Sequence, residues 1–350
     1  MNIAIETSVL QSGHGLRGTG FYTQLLIDAL QRYEIDNSYS FFTRGQKVPE
    51  NADIVHFPFF DQFFLTLPLA KSKPTVVTVH DLIPIAYPDH FSRGIRGEIK
   101  WQIQKFSLKS AKEVITDSMA SKADIARFTG ISAEKINVVY LAPAEIYKPV
   151  TDKKSLKLVS EKYRLPEQFI LYVGDVNWNK NIPGLLRALG ILDWNYKLVL
   201  VGKAFLKKDL AETRALDELI ANLRLNDKLI RPGFVAETDL PAVYTLASAL
   251  VEPSFAEGFG LPVLEAMSCG TPVVTSDRSS LREIAGPAIL IDPDKPDKIA
   301  EGIKKAFKIK KEKWSEESKA WMANFSLQKM AAETVEVYKK ALGSLDTRRK

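Results

Sequence analysis

Short, β-branched apolar runs alternate with helix-period segments along almost the whole chain, and they do so in two sets. Runs at Ile3–Val9, Ile54–Phe57, Val76–His80, Val114–Asp117 and Val138–Leu141 are expected strands of a first domain. Runs at Phe169–Val173, Leu198–Val201, Leu229–Arg231, Ala249–Glu252, Pro272–Thr275 and Ile289–Ile291 are expected in a second. A strand that is apolar throughout is buried on both faces, as in parallel sheets covered by crossover helices. The pattern therefore predicts the α/β class with two doubly wound domains, and 350 residues are enough for both. Pro143, Pro149, Pro166 and the Lys153-Lys154 pair interrupt the alternation. This places the first domain at 1–148 and the second at 149–325, with 326–350 left as a terminal helix. Leu327, Met330, Ala331, Thr334, Val335 and Tyr338 recur there at helical spacing.

Open parallel sheets bind ligands beyond the carboxyl ends of their strands, so the residues at strand ends carry the functional reading. After the run at Ala249–Glu252 comes Pro253-Ser254-Phe255-Ala256-Glu257-Gly258-Phe259-Gly260-Leu261-Pro262-Val263-Leu264-Glu265. Leu261-Pro262 reads as a helix start, where a missing N–H is tolerated. Gly258 and Gly260 permit positive φ and close backbone approach. The N–H groups of a new helix favour an anion. Glu257 in the loop and Glu265 in the helix can each accept hydrogen bonds from hydroxyls. Diphosphate plus hydroxyls, the inventory of a nucleotide-sugar, fits this segment.

Three other strand ends add to it. Gly174 follows a strand, and Lys180 stands just before the helix start Asn181-Ile182-Pro183, where an ammonium and helix N–H groups converge on one anion. The run from Gly13 to Gly20, with Arg17, Gly18 and Gly20, is expected to be a glycine-rich turn before a helix from Phe21 to Leu30. His80 and Asp81 end the Val76–His80 run. Phe234 and Val235 follow Arg231-Pro232-Gly233, Phe234 facing either the core or a ligand. Ser280-Leu281-Arg282-Glu283 reads as a capping box.

Glu257, seven intervening residues and Glu265, flanked by Pro253-Ser254 and by Ala266-Met267-Ser268-Cys269-Gly270-Thr271-Pro272, resemble the E-x7-E block of retaining glycosyltransferases of the family 4 (glycosyl transferases group 1) type. The resemblance implies the GT-B fold: two doubly wound Rossmann-like domains facing a central cleft, with the last helix crossing back to the first. It implies a metal-independent hexosyl or mannosyl transfer, with retention, from a UDP- or GDP-linked sugar to a glycan or lipid-linked acceptor. No cofactor is implied, the nucleotide-sugar being a substrate. His80 would contact the donor sugar, and Lys180, Gly18, Gly20 and Gly174 would surround the pyrophosphate. Phe234 and Val235 would lie by the base, Glu257, Gly258, Phe259, Gly260 and Leu261 by the sugar and phosphates, and Glu265 by the ribose. Arg17 would reach phosphate or acceptor, and Asp81 would orient the His80 imidazole or reach phosphate or acceptor. The catalytic set is His80, Glu257 and Lys180. Many relatives of the resembled family carry an arginine where this chain has Asp175 or Asn179, so either phosphate neutralisation leans on Lys180, the helix dipole, and Arg17 or Arg231, or the donor is held less tightly.

Composition limits the alternatives. One cysteine, Cys269, excludes an internal disulfide and fits a reducing compartment. The start lacks a secretory leader, and no apolar run is long enough to span a bilayer. A cytoplasmic protein is expected. Four histidines and one cysteine at no ligand spacing give no metal reading, and Asp292-Pro293-Asp294 reads as a structural turn. The net charge of +6 has no zinc-finger, RNA-binding or zipper motif behind it, so nucleic acid is not an expected partner. Lysines at 304–313 and the basic run Arg93 to Lys112 read as solvated helix faces, the latter with Ile95, Ile99, Ile103 and Phe106 inward. The sharper reading is peripheral contact with an anionic membrane at its inner face, through the first-domain helix. A disaccharide phosphorylase, a nucleotide-sugar epimerase and a non-catalytic nucleotide-sugar-binding protein share the same inventory. A dehydrogenase would need a nicotinamide feature beyond Gly13-x-Gly15-x-x-Gly18.

Overall fold

The structure, a computed structural model, describes residues 1–11, 18–192 and 196–346, the last three of these as backbone. The chain forms two compact units, Met1–Ala142 with the segment from Phe325 onward, and Pro143–Asn324. The change falls before the expected 148/149 boundary because the intervening residues are tied to the second unit. The Tyr147 ring meets that of Tyr244 edge-on at 5.9 Å.

The first unit runs β1 (Asn2–Glu6), α1 (Gly18–Tyr33), β2 (Ser38–Phe42), β3 (Ile54–Phe57), β4 (Thr75–Thr78), α2 (Ile83–Ala86), α3 (Gly94–Lys109), β5 (Glu113–Thr116), α4 (Met119–Thr129) and β6 (Ile136–Val138). The second runs α5 (Lys153–Tyr163), β7 (Phe169–Val173), α6 (Ile182–Ile191), β8 (Lys197–Val201), α7 (Ala211–Asn222), β9 (Leu229–Gly233), α8 (Leu240–Leu246), β10 (Ala249–Glu252), α9 (Leu261–Ser268), β11 (Val273–Ser276), α10 (Ser279–Ile284), β12 (Ile289–Ile291), α11 (Pro296–Ala306) and α12 (Lys311–Met322). The last helix, α13 (Leu327–Asp346), packs on α1, β4 and β5 of the first unit.

Each unit holds one six-stranded sheet, ordered β2-β1-β3-β4-β5-β6 and β12-β11-β10-β7-β8-β9. All recorded pairings are parallel. In the second sheet the strand order reverses between β7 and β10, and open parallel sheets bind ligands beyond the carboxyl ends of the strands at such a switch point. Its core joins Ile170, Tyr172, Leu198 and Val251 of the sheet to Leu185 and Leu189 of α6 and Ile299 and Ile303 of α11. In the first unit Val55, Val77 and Val114 pack with Trp101 and Leu108 of α3 and Ile125 of α4.

A polar thread crosses the first unit's core. His56 on β3 shares hydrogen bonds with Tyr338 of α13 through Nδ1 (2.7 Å) and with Thr78 through Nε2 (2.8 Å), and Thr78 also meets the Tyr22 hydroxyl. Burial pushes His56 down to about 3, so the ring is neutral.

Three sequence expectations fail for physical reasons. Edge strand β2 has no counterpart among the expected strands because SYSFF is half-exposed and carries no apolar run. Helix α5 lies inside the segment taken as a break; Asp152 caps it by accepting from the amides of Lys154 and Ser155. In α3 the buried residues are Trp101, Gln104, Ser107 and Leu108, while Ile95, Ile99 and Phe106 point outward. The helix has apolar side chains on two opposite sides, and tertiary packing chose the other one.

Candidate active site

The site in the second unit is built by stitching together the two loops at the switch point. After β7 the chain makes a turn at Trp178–Lys180 and enters α6 through Asn181, which is left-handed at φ 50°. Asn181 caps the helix by accepting from the Gly184 amide at 3.1 Å, and its Nδ2 donates to the carbonyls of Pro253 and Pro293. Asn179 Nδ2 donates to the Ala256 carbonyl, and its own carbonyl accepts from the Phe255 amide. The Trp178 ring stacks on Phe255 at 5.0 Å. Asn179, one of the two positions at which the resemblance leads one to expect arginine, therefore fixes the loop pair and supplies no charge.

This stitching brings Lys180 and Glu257 together. Lys180 Nζ lies 2.7 Å from Glu257 Oε1 and 4.0 Å from Glu252 Oε1. Burial works against the Lys180 ammonium, but the carboxylates of Glu257 and Glu252 outweigh it and hold the pKa above its ordinary value. The Glu257 backbone is held in turn: its carbonyl accepts from the hydroxyls of Ser279 and Ser280, both at 2.9 Å. Ser280 is thus not the cap of α10, contrary to the capping-box reading; α10 starts at Ser279. Glu252 is 1% exposed and accepts from Ser254 Oγ, and its Oε2 has no hydrogen-bond partner. Burial pushes Glu252 up to about 8, Lys180 opposing and Glu257 adding. Glu252 was not foreseen; as the last residue of an apolar strand it read as a strand end.

Helix α9 begins where Leu261-Pro262 indicated. Gly260 stands before it at φ 107°, and a Cβ there would meet Leu281 Cδ2 at 2.6 Å, so glycine is required. The positive φ expected at Gly258 is not found. No side chain caps α9, which leaves its first turn for another acceptor. Glu265 is half-buried one turn in, and its Oε2 accepts from the Tyr244 hydroxyl at 2.6 Å. Burial pushes Glu265 up to about 7, the Tyr244 hydrogen bond opposing.

Other expected residues stand as follows. Gly174 follows β7, its amide bonded to the Val201 carbonyl. Val235 is buried, whereas Phe234 is exposed with the Lys203 ammonium 4.4 Å from its ring, which removes the core reading. Arg231 pairs with Asp217 at 2.6 Å, so its charge is already engaged. Asp292 and Asp294 both bind Arg278, consistent with a structural turn. Gly18 and Gly20 form the first turn of α1 instead of a preceding loop. Gly13, Gly15 and Arg17 lie outside the described residues.

In the first unit His80 follows β4, and its Nδ1 is 2.6 Å from Asp117 Oδ2. The Tyr22 ring meets the imidazole edge-on at 4.6 Å. Burial pulls the His80 pKa down, but the charge and hydrogen bond of Asp117 prevail and raise it. Nε2 makes no hydrogen bond of normal geometry, although the Pro58 carbonyl stands near enough to favour the protonated ring. Asp117 therefore orients the ring, the role offered to Asp81; Asp81 Oδ1 instead accepts from the Ile83 amide. A cavity of about 280 Å³ in this unit, bordered by Phe42, Arg44, Val55 and Lys71, contains none of the expected residues.

Comparison with known proteins identifies the family. Residues 157–321 match the family described as glycosyl transferases group 1, and residues 26–142 that described as glycosyltransferase family 4. O-antigen chain mannosyltransferase B of Escherichia coli is 33% identical over 279 residues, 77% of this chain and 71% of that protein. O-antigen chain mannosyltransferase RfbU of Salmonella typhimurium is 32% identical over 231 residues, 65% of this chain and 59% of that protein. Among solved structures, sucrose-phosphate synthase of Thermosynechococcus elongatus has a TM-score of 0.77 at 20% identity, over 98% of this chain and 100% of that one. Anabaena HepE, solved with UDP and glucose, has a TM-score of 0.74 at 20% identity, over 97% and 99%. Those two likenesses show the GT-B fold, and the closer sequence relatives show the family. The chain belongs to the group 1, family 4 glycosyltransferases.

Proposed function

We propose that the protein transfers a hexosyl group, mannosyl above others, from a nucleoside-diphosphate sugar to a hydroxyl of a glycan or lipid-linked glycan. Transfer proceeds with retention at the anomeric carbon and without a metal. The observation that carries this reading is the Lys180–Glu257 pair at the switch point of the second sheet. As the anomeric carbon–oxygen bond breaks, negative charge gathers on the leaving diphosphate, and preorganised positive groups stabilise it. Lys180, kept charged by its two carboxylates, and the uncapped start of α9 supply those groups. Phosphate taking the ammonium releases Glu257 to accept hydrogen bonds from the sugar hydroxyls, while Glu252 stays beside Lys180. Glu265 accepts from the ribose hydroxyls, with Tyr244 holding one of its oxygens. The acceptor oxygen bonds to the anomeric carbon on the face the diphosphate leaves, and the acceptor proton departs on the diphosphate. His80, oriented by Asp117, is assigned to substrate contact in the first unit.

The mannosyl preference follows the names of the Escherichia coli and Salmonella typhimurium relatives. The test is release of free nucleoside diphosphate from GDP-mannose, UDP-glucose and ADP-glucose, with EDTA present. Glu257→Gln, which keeps the shape of the side chain, is the control. Release from GDP-mannose that survives EDTA and is lost in Glu257→Gln is the expected result. Release abolished by EDTA, or undiminished in the variant, would overturn the corresponding part of the mechanism.

A further inference from the structure

We propose that the first unit carries a docking face for an anionic lipid bilayer, formed by α3 and the 64–71 segment beside it; this does not depend on the sugar-transfer reading. The inference starts from the side of α3 that the core did not use. Ile95, Ile99 and Phe106 fall on one stripe, since eleven residues make about three helical turns. They are 83%, 55% and 69% exposed. Arg96 and Lys100 border the stripe on one side, and Lys105 and Lys109 on the other. The helix contains one acid, Glu98, whose carboxylate is paired with Arg93 at 2.8 Å.

The neighbouring segment is fastened to this helix and extends the same face. Buried Gln104 Oε1 accepts from the Thr66 amide and hydroxyl and from the Leu67 amide, at 3.1, 2.9 and 3.1 Å. Lys71 Nζ donates to the Ser107 carbonyl and to Ser110 Oγ at the end of α3. Held in this way, the segment turns Phe64 and Leu69 outward at 59% and 60% exposure. The Lys100 ammonium sits 5.2 Å from the Phe64 ring, joining segment and helix. Asp61 Oδ1 is turned back into its own loop, where it accepts from the amides of Phe63 and Phe64.

Charge selects the occupant. A second copy of the chain meeting this patch about a two-fold axis would bring the same cations against each other. An apolar stripe flanked on both sides by long basic side chains instead matches a helix lying in the headgroup plane. There the stripe enters the acyl boundary while ammonium and guanidinium groups reach the lipid phosphates.

The full chain is tested by co-sedimentation with phosphatidylcholine vesicles and with vesicles in which phosphatidylglycerol replaces part of the phosphatidylcholine. Ile95→Ser/Phe106→Ser removes apolar insertion, and Lys100→Glu/Lys105→Glu reverses charge; all four side chains are at the surface, so circular dichroism should be unchanged. Lys304→Glu/Lys305→Glu on α11 serves as a charge control outside the face. Binding to anionic vesicles that falls roughly tenfold or more in both α3 variants and persists in the control is expected. Three results would overturn the proposal: no sedimentation with anionic vesicles, equal loss in the α11 control, or a dimer in solution that the α3 variants dissociate.

Discussion

Replacing Lys180 by methionine removes the cation while keeping most of the side chain's length. Glu257 and Glu252, with side chains 10% and 1% exposed, would then face each other without a counter-charge. Removing one partner of a buried pair costs about 3–5 kcal/mol while the remaining charge persists. A carboxylate can escape that cost by taking up a proton. Glu252 is already pushed up to about 8 by burial, and Lys180 is the main influence holding it down, so the variant raises it further. An acid whose pKa is raised in the folded state binds more protons folded than unfolded. Its contribution is fully present below the ordinary value of 4.5 and is lost as pH rises through the folded value. Since Glu252 of the unaltered protein also holds its proton below about 8, the two proteins part only above that value, and the Lys180→Met variant should lose about 3–5 kcal/mol at about pH 9.5. Near pH 5 it should lose only roughly 1–2 kcal/mol, the worth of the missing hydrogen bond. Cys269, the one thiol and a buried one, reports on the second unit by itself. Pulse labelling of that thiol through a urea series at both pH values measures the difference. An equal loss at the two pH values would refute the reasoning. So would a Lys180→Met/Glu257→Gln double variant no more stable at about pH 9.5 than the single one.

Because Glu265 is pushed up to about 7 by burial and must be ionised to accept from ribose hydroxyls, donor binding should release a proton below that pH. Calorimetry in buffers of different ionisation heat detects it; buffer-independent heats would sink the ribose assignment. Asp117→Asn should lower the His80 pKa by removing the charge that sustains its proton, and imidazole resonances followed against pH will read the shift. An unmoved titration would mean that another group holds the ring. Gly260→Ala combines a left-handed backbone with a 2.6 Å approach to Leu281, and should cost about 1–3 kcal/mol or more. Gly343→Ala, which meets no atom within 4 Å in α13, should instead gain about 0.5–1 kcal/mol. Urea midpoints that rank these two variants otherwise would contradict the geometry.

The sequence spoke clearly where burial acted on both faces of a strand. Phe169–Val173 is a continuous apolar run and Ala249–Glu252 is one up to its terminal glutamate, and both expectations match the structure to the residue. β2 sits at a sheet edge and lacks that signature. Lys180, Glu257 and Glu265 could be found because each lies in a loop or helix start with its own local pattern. Their partners could not. Asp117 is 37 residues from His80, and Tyr244 is 21 residues from Glu265. Those meetings depend on strand order and helix packing, which local spacing does not encode. The orientation of α3 was hidden for another reason: periodicity identifies a helix and its stripes, but with apolar side chains on two sides it does not choose between them.

The contact between Tyr338 and His56 joins residues separated by 282 positions, and both belong to the first unit. That unit is therefore discontinuous in the chain, with the whole of Pro143–Asn324 inserted before its final helix. A ribosome that has synthesised the first 142 residues has made all of this sheet but not the helix that covers α1, β4 and β5. The His56 imidazole and the Lys340 partner Glu113 wait in a nascent, half-covered sheet while the other unit is made. Synthesis order thus sets folding order here: the inserted unit can close as soon as it emerges, and the unit that began first is the one completed last.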